Sequence, residues 1–172
     1  MNDFQERFGK TLILGIGNEI LTDDAIGLRL VDDLQACCCS PRLVFEKATV
    51  GGLEILELIK GYKAVLFLDA IKTVNGTPGD VYRMSFSDFA DTLHLSNLHD
   101  VGFIEAIRLG EALGLSLPET LLIFAVEIVE DRVFSSEFTP AIESRYPRIL
   151  MEAERFLRQA LFPSKPVPGV VQ

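Results

Sequence analysis

Two short runs, Thr11 to Ile16 (TLILGI) and Ala64 to Leu68 (AVLFL), are apolar almost throughout and read as the first and third strands. A half-exposed strand alternates apolar and polar residues, so runs like these belong to strands covered on both faces, the pattern of a parallel sheet between helices. The segments between them fit that arrangement. Asp24 to Ala36 carries Ala25, Ile26, Leu28, Leu30, Val31 and Leu34 near a helical stripe, behind the acidic pair Asp23 and Asp24. Negative charge at that end favours the helix dipole. Leu43 to Glu46 reads as a second strand and Leu53 to Ile59 as a second helix, entered through Gly51 and Gly52. The resulting β-α-β-α-β rhythm predicts a parallel core with right-handed crossovers.

The pattern changes after Asp69. Asn75 to Asp80 (NGTPGD) is turn chemistry, and Val81 to Phe86 alternates, as an antiparallel edge strand exposed on one face would. Ser87 to Asp100 is a polar stretch holding both histidines, His94 and His99. Val101 to Leu113 predicts a helix stopped by Gly114, Leu121 to Ile128 another apolar strand, and Ala141 to Leu161 a closing helix kinked or delayed by Pro147. With 172 residues the expectation is one α/β domain over 1–162, followed by a Pro-rich, frayed tail over 163–172.

Composition narrows the chemistry. Sixteen basic against 25 acidic residues leave a net charge of −9, which opposes nucleic acid and anionic membranes as partners and suits divalent cations. The N-terminal MNDFQERFGK lacks an apolar signal-peptide core, and no apolar run nears the ~20 residues of a membrane span, so a cytoplasmic location is expected. Cys37, Cys38 and Cys39 are consecutive and sit at a predicted helix end. They lack the C-x-x-C spacing of a thiolate metal site, and reduced, partly packed thiols are the simpler expectation.

Three chemistries compete for Thr11 to Gly27 (TLILGIGNEILTDDAIG). Gly15 and Gly17, with Glu46 ending the second strand, invite a dinucleotide site. However, Ile20 stands where a third glycine should allow close helix packing, and Asp23 and Asp24 would repel a pyrophosphate. A nucleophilic triad has little support, because there is no G-x-S-x-G and histidine occurs only twice. A metal site fares better. Asp24 after the first strand, Asp69 ending the third and His99 in a loop would offer two carboxylates and an imidazole to Ni²⁺ or Zn²⁺. From residue types alone, Asp24 reads equally as a helix cap and Asp69 as a strand-end residue bonded to nearby amides.

GIGNEILTDDAIG, LFLDAI and LHDVGF, occurring in this order, resemble the hydrogenase maturation endopeptidases of nickel–iron hydrogenases. That family's pattern runs G-x-G-N, a spacer, D-[DE]-x-x-G, a strand ending D-A, then a histidine before a helix. The resemblance spans Thr11 to Leu161 and includes AVEIVED with Ser136 and Glu137 before the terminal helix. It implies a three-layer α/β/α sandwich around a mostly parallel five-stranded sheet. It also implies an endopeptidase that removes a C-terminal extension from the hydrogenase large-subunit precursor after nickel insertion.

In this likeness the metal-contacting and catalytic positions fall on Asp24, Asp69 and His99, with nickel carried by the precursor and other divalent ions able to occupy the site. Asp23 is expected to help cap the helix. Gly15, Gly17, Asn18, Gly51 and Gly52 would shape the loops around the substrate, and position 25 is Ala where many relatives carry Gly. Two other readings stay open: a metal-binding accessory module without proteolysis, and a nucleotide-binding α/β domain.

Overall fold

The computed structural model describes residues 9–38, 40–49, 52–91 and 98–161; for 89–91, 98–101, 103 and 161 the description is limited to the backbone. His94, Cys39, Gly51 and residues 162–172 lie outside the described residues.

Strand β1 (Thr11–Ile16) pairs in parallel with β2 (Leu43–Ala48) on one side and β3 (Ala64–Ile71) on the other. On its far side β3 pairs in parallel with β5 (Thr120–Glu127), and β4 (Val81–Ser85) closes the edge antiparallel to β5. The order is β2-β1-β3-β5-β4, so both the parallel core and the antiparallel edge strand agree with the sequence reading.

Side chains alternate between two cores, as the two-residue period of a strand requires. Leu12, Leu14, Val65, Phe67, Ile71, Ile123 and Ala125 face one layer, built from Ile55, Leu56 and Ile59 of α2 (Glu54–Ile59) and Ile104, Ala106 and Ile107 of α4 (Leu98–Ala112). Ile13, Leu66, Leu68, Ala70, Phe124 and Val126 face the other, built from α1 (Ile26–Cys37), α5 (Pro140–Glu143) and α6 (Tyr146–Leu161). This is the α/β/α sandwich. A short helix α3 (Phe86–Asp91) takes Phe86 from the predicted strand and the start of the polar stretch after it. Ser85 starts it, its hydroxyl accepting the Asp88 amide at 3.2 Å.

Other boundaries moved for identifiable reasons. The closing helix is two helices, and Pro147 is the second residue of α6, where a missing N–H breaks no intrahelical bond. Helix α4 begins at Leu98, so His99 belongs to its first turn and not to a preceding loop. Asp69 does not end its strand. The β1 ladder stops at Gly15↔Leu68, but β3 continues to Ile71 against β5, with Asp69 paired to Ala125.

Candidate active site at the carboxyl ends of the strands

From β1 the chain feeds α1 on one face of the sheet, and from β2 it feeds α2 on the other, while β1 lies between β2 and β3. The connection from β1 leads to β2 and the one from β3 leads the other way, toward β4, and this divergence of neighbouring strands leaves a crevice beyond the carboxyl ends of β1 and β3, the usual binding place in an open α/β sheet. The loop from β1 and the segment carrying Asp69 both open there.

Glycines set how closely the first loop approaches. A side chain at Gly27 would put its Cβ 2.3 Å from the Leu68 carbonyl oxygen and 2.4 Å from that of Ile16. One at Gly15 would meet the Gly27 carbonyl at 2.4 Å. The first turn of α1 therefore lies directly on the backbones of β1 and β3. Gly17, at φ +146°, turns the chain so that its Cβ position falls 2.0 Å from the Asp24 carbonyl oxygen. Asn18 follows with an Asx turn, its Oδ1 accepting the Ile20 amide at 3.2 Å.

Asp24 lies in a one-turn 3₁₀ helix, Thr22–Ala25, packed against β3 just before α1. Thr22 has φ +45°, an uncommon conformation for a β-branched residue. It is held there by its own amide, which donates to the Ser135 carbonyl at 3.1 Å, and by its hydroxyl, which donates to the Val133 carbonyl at 2.6 Å.

Asp23 departs from expectation. Neither it nor any other side chain caps the 3₁₀ turn or α1. It is fully buried, and its carboxylate accepts the amides of Val129 (3.2 Å), Glu130 (3.1 Å) and Thr139 (2.7 Å) and the Thr139 hydroxyl (2.9 Å). Asp23 thus fastens the segment after β5, while Asp24 is half-buried in the turn that packs against β3.

Asp69, in β3, accepts the amide of Ala70 at 2.8 Å through Oδ1. By strand alternation it shares the face of Phe67 and Ile71, the side covered by α2 and α4. The backbone places His99 on that same side. Gly102 comes beside Gly52, in the turn after β2, and Gly110 beside Leu56 of α2, so α4 starts at the carboxyl edge and runs back along the sheet. Asp24, Asp69 and the first turn of α4 therefore gather at one edge, reached from three separate elements. Gly52, at φ +65°, has open space where a side chain would stand.

Two further features had no sequence signal strong enough to single them out. Glu127, at the end of β5, is buried and accepts the Thr73 amide (2.7 Å), the Thr73 hydroxyl (2.9 Å) and the Tyr82 hydroxyl (3.0 Å). Burial, with this carboxylate beside it, raises the Tyr82 phenol above its ordinary range. A Cβ on Gly76 would strike the Glu127 carboxylate, so the turn after β3 is moulded on that side chain.

The second feature is an apolar rim. Among the described residues nine large apolar side chains are exposed, and six of them, Ile20, Leu53, Val74, Val129, Val133 and Phe134, stand in the loops at this edge. Phe134 is 76% exposed. The segment carrying it is fixed by Asp23, by Thr22, by the Leu21–Ser135 bridge and by Lys72, whose ammonium lies 2.9 Å from Asp131.

A three-layer α/β sandwich that carries Asp24, Asp69 and an apolar rim beyond the carboxyl ends of its strands has its candidate binding site there. Residues 28–155 match the family model described as hydrogenase maturation protease, HycI, and the chain belongs to that family of endopeptidases. It is 27% identical over 153 residues to the hydrogenase expression/formation protein HupD of Rhodobacter capsulatus, covering 87% of this chain and 71% of that one. Over 71 residues it is 34% identical to the hydrogenase 2 maturation protease of Escherichia coli strain K12, covering 41% of this chain and 43% of the relative. The solved structure of the hydrogenase maturating endopeptidase HybD from E. coli superposes with a TM-score of 0.70 at 23% identity, covering 88% of this chain and 93% of that chain. This likeness establishes the fold.

Proposed function

We propose that this endopeptidase removes the C-terminal extension of a nickel–iron hydrogenase large-subunit precursor once nickel has been inserted, and that Asp24, Asp69 and His99 read that nickel. The observation that carries the reading is the meeting of the Asp24 turn, Asp69 and the first turn of α4 at one sheet edge. Two carboxylates and an imidazole suit a borderline divalent ion that the precursor already holds. Without that ion, two like charges would face the docking precursor uncompensated, which disfavours the unmetallated form. Hydrolysis adds water across the scissile amide. A carboxylate at this edge would take a proton from the water as its oxygen bonds to the carbonyl carbon, and the departing nitrogen would gain a proton as the C–N bond breaks.

The rim supports a protein substrate. Large apolar side chains presented on fixed loops favour a partner with its own apolar surface, and aromatic anchors carry a large share of such contacts. The decisive experiment mixes the purified protein with nickel-loaded and nickel-free precursors and follows loss of the C-terminal peptide by mass. Cleavage of the loaded form alone is expected. His99→Ala and Asp69→Asn should abolish it and His94→Ala should not. Failure to cut any of several loaded precursors, or equal activity of both histidine variants, would overturn the assignment.

A further inference from the structure

At the far end of α1 the structure brings together three groups unused by the proteolytic site. Cys37 is the last residue of the helix, and Cys38, its C-cap, leaves helical geometry at φ −117° and ψ 83°. On a regular helix, consecutive side chains diverge by ~100°. The break at Cys38 undoes that divergence and sets the two sulfurs 3.5 Å apart. The Glu154 carboxylate, on α6, joins them: the ligating atoms of the three residues all lie within 4.8 Å of one another. Arg158 holds Glu154 Oε1 from one turn further along, through Nε at 3.1 Å and Nη2 at 2.6 Å, and fixes the carboxylate's direction.

We infer that Cys37, Cys38 and Glu154 form a binding site for one thiophilic divalent cation of the Zn²⁺ type, clamping the end of α1 to α6. Two thiolates on one tetrahedral zinc, each ~2.3 Å from the ion, stand ~3.8 Å apart, close to the separation these sulfurs already have. C-x-x-C spacing serves to turn two thiols toward one point, and the helix break does the same for adjacent residues. The charges also balance: two thiolates and a carboxylate face the dication and the Arg158 guanidinium. Binding forms two metal–sulfur bonds and releases both thiol protons to solvent. A solvent molecule would supply the fourth donor. The site lies about 18 Å from the Asp24 turn, the length of α1 at 1.5 Å per residue, so it is separate from the proteolytic edge.

Reduced, metal-free protein titrated with Co²⁺ as a spectroscopic stand-in should develop the near-ultraviolet thiolate-to-cobalt absorption, saturating at one equivalent. Zn²⁺ at 100 times its Kd should raise the melting temperature by roughly 5–10 °C. Cys37→Ser and Cys38→Ser should each abolish the band and reduce the thermal shift, and Glu154→Gln should weaken binding about tenfold or more. Asp24→Asn should leave the thiolate-to-cobalt band unchanged. Absence of the band, its survival in the Cys37→Ser and Cys38→Ser double variant, or its loss in Asp24→Asn would overturn the assignment. None of these readouts depends on cleavage of a precursor, so the two proposals fail separately.

Discussion

Single residues at the crevice act mainly through the space and the hydrogen bonds they control. Gly27 has no room for a methyl group because two strand carbonyls already occupy it. Gly27→Ala should therefore cost about 1–3 kcal/mol by urea unfolding, the range for overpacking a closed contact. Asp23 teaches the opposite lesson, since its removal leaves donors without acceptors. Asp23→Ala should cost at least ~3 kcal/mol, from three amides and a hydroxyl orphaned in the interior, and Asp23→Asn distinctly less, because one oxygen remains. Cys38 shows a titration effect. Burial first, then its hydrogen bond with Cys37, pushes its thiol up to about 11, so it stays protonated at neutral pH. Its alkylation by iodoacetamide, followed by peptide mass in metal-free protein, should rise about tenfold per pH unit toward that value and lag a free thiol at pH 8.

Among the elements, the segment after β5 links stability to the proposed docking rim. It carries Val133 and Phe134 outward while Asp23 and Thr22 grip its backbone, so its apolar residues are presented at little ordering cost on binding. If the proposed nickel-loaded precursor is the substrate, Phe134→Ala should raise its KM about tenfold with kcat nearly unchanged, and should leave urea stability within ~0.5 kcal/mol. A parallel loss in kcat would place Phe134 in the chemistry and not in docking. Helices α1 and α6 form the other linked pair. Arg29 of α1 lies 4.8 Å from the ring centroid of Phe138 and 4.5 Å from that of Tyr146. The Tyr146 hydroxyl donates to Asp33 at 2.7 Å, and burial, with that carboxylate, raises its phenol far above the ordinary range.

For the whole molecule, the sheet separates two independent cores. Phe67 fills one and Phe124 the other. Each Phe→Ala change should cost about 3–5 kcal/mol, nearly additively because the rings face opposite layers, and the double variant should lie near or beyond the stability of the native state. Much of this plan was already written in the chain. Apolar runs specified covered parallel strands, and the alternation of Val81 to Phe86 specified the antiparallel edge, because burial on one or both faces leaves a direct mark on residue type. Gly15, Gly17, Asp24, Asp69 and His99 were visible as candidates because an ordered set of motifs marks them. Other features depended on distance in space. Asp23 looked like a helix cap because its true partners, Val129, Glu130 and Thr139, lie more than 100 positions away. Glu127 showed only as a charge in an apolar run, since Thr73 and Tyr82 reach it from the neighbouring strands' segments. The adjacent cysteines gave no ligand spacing, because a helix break and a second helix bring them into register with Glu154. The sequence by itself determined the layers and the candidate residues, through hydrophobic period and local motif. Only the tertiary structure decided that Asp23 holds the fold and caps no helix, because hydrogen bonds between distant segments leave no periodic trace in the chain.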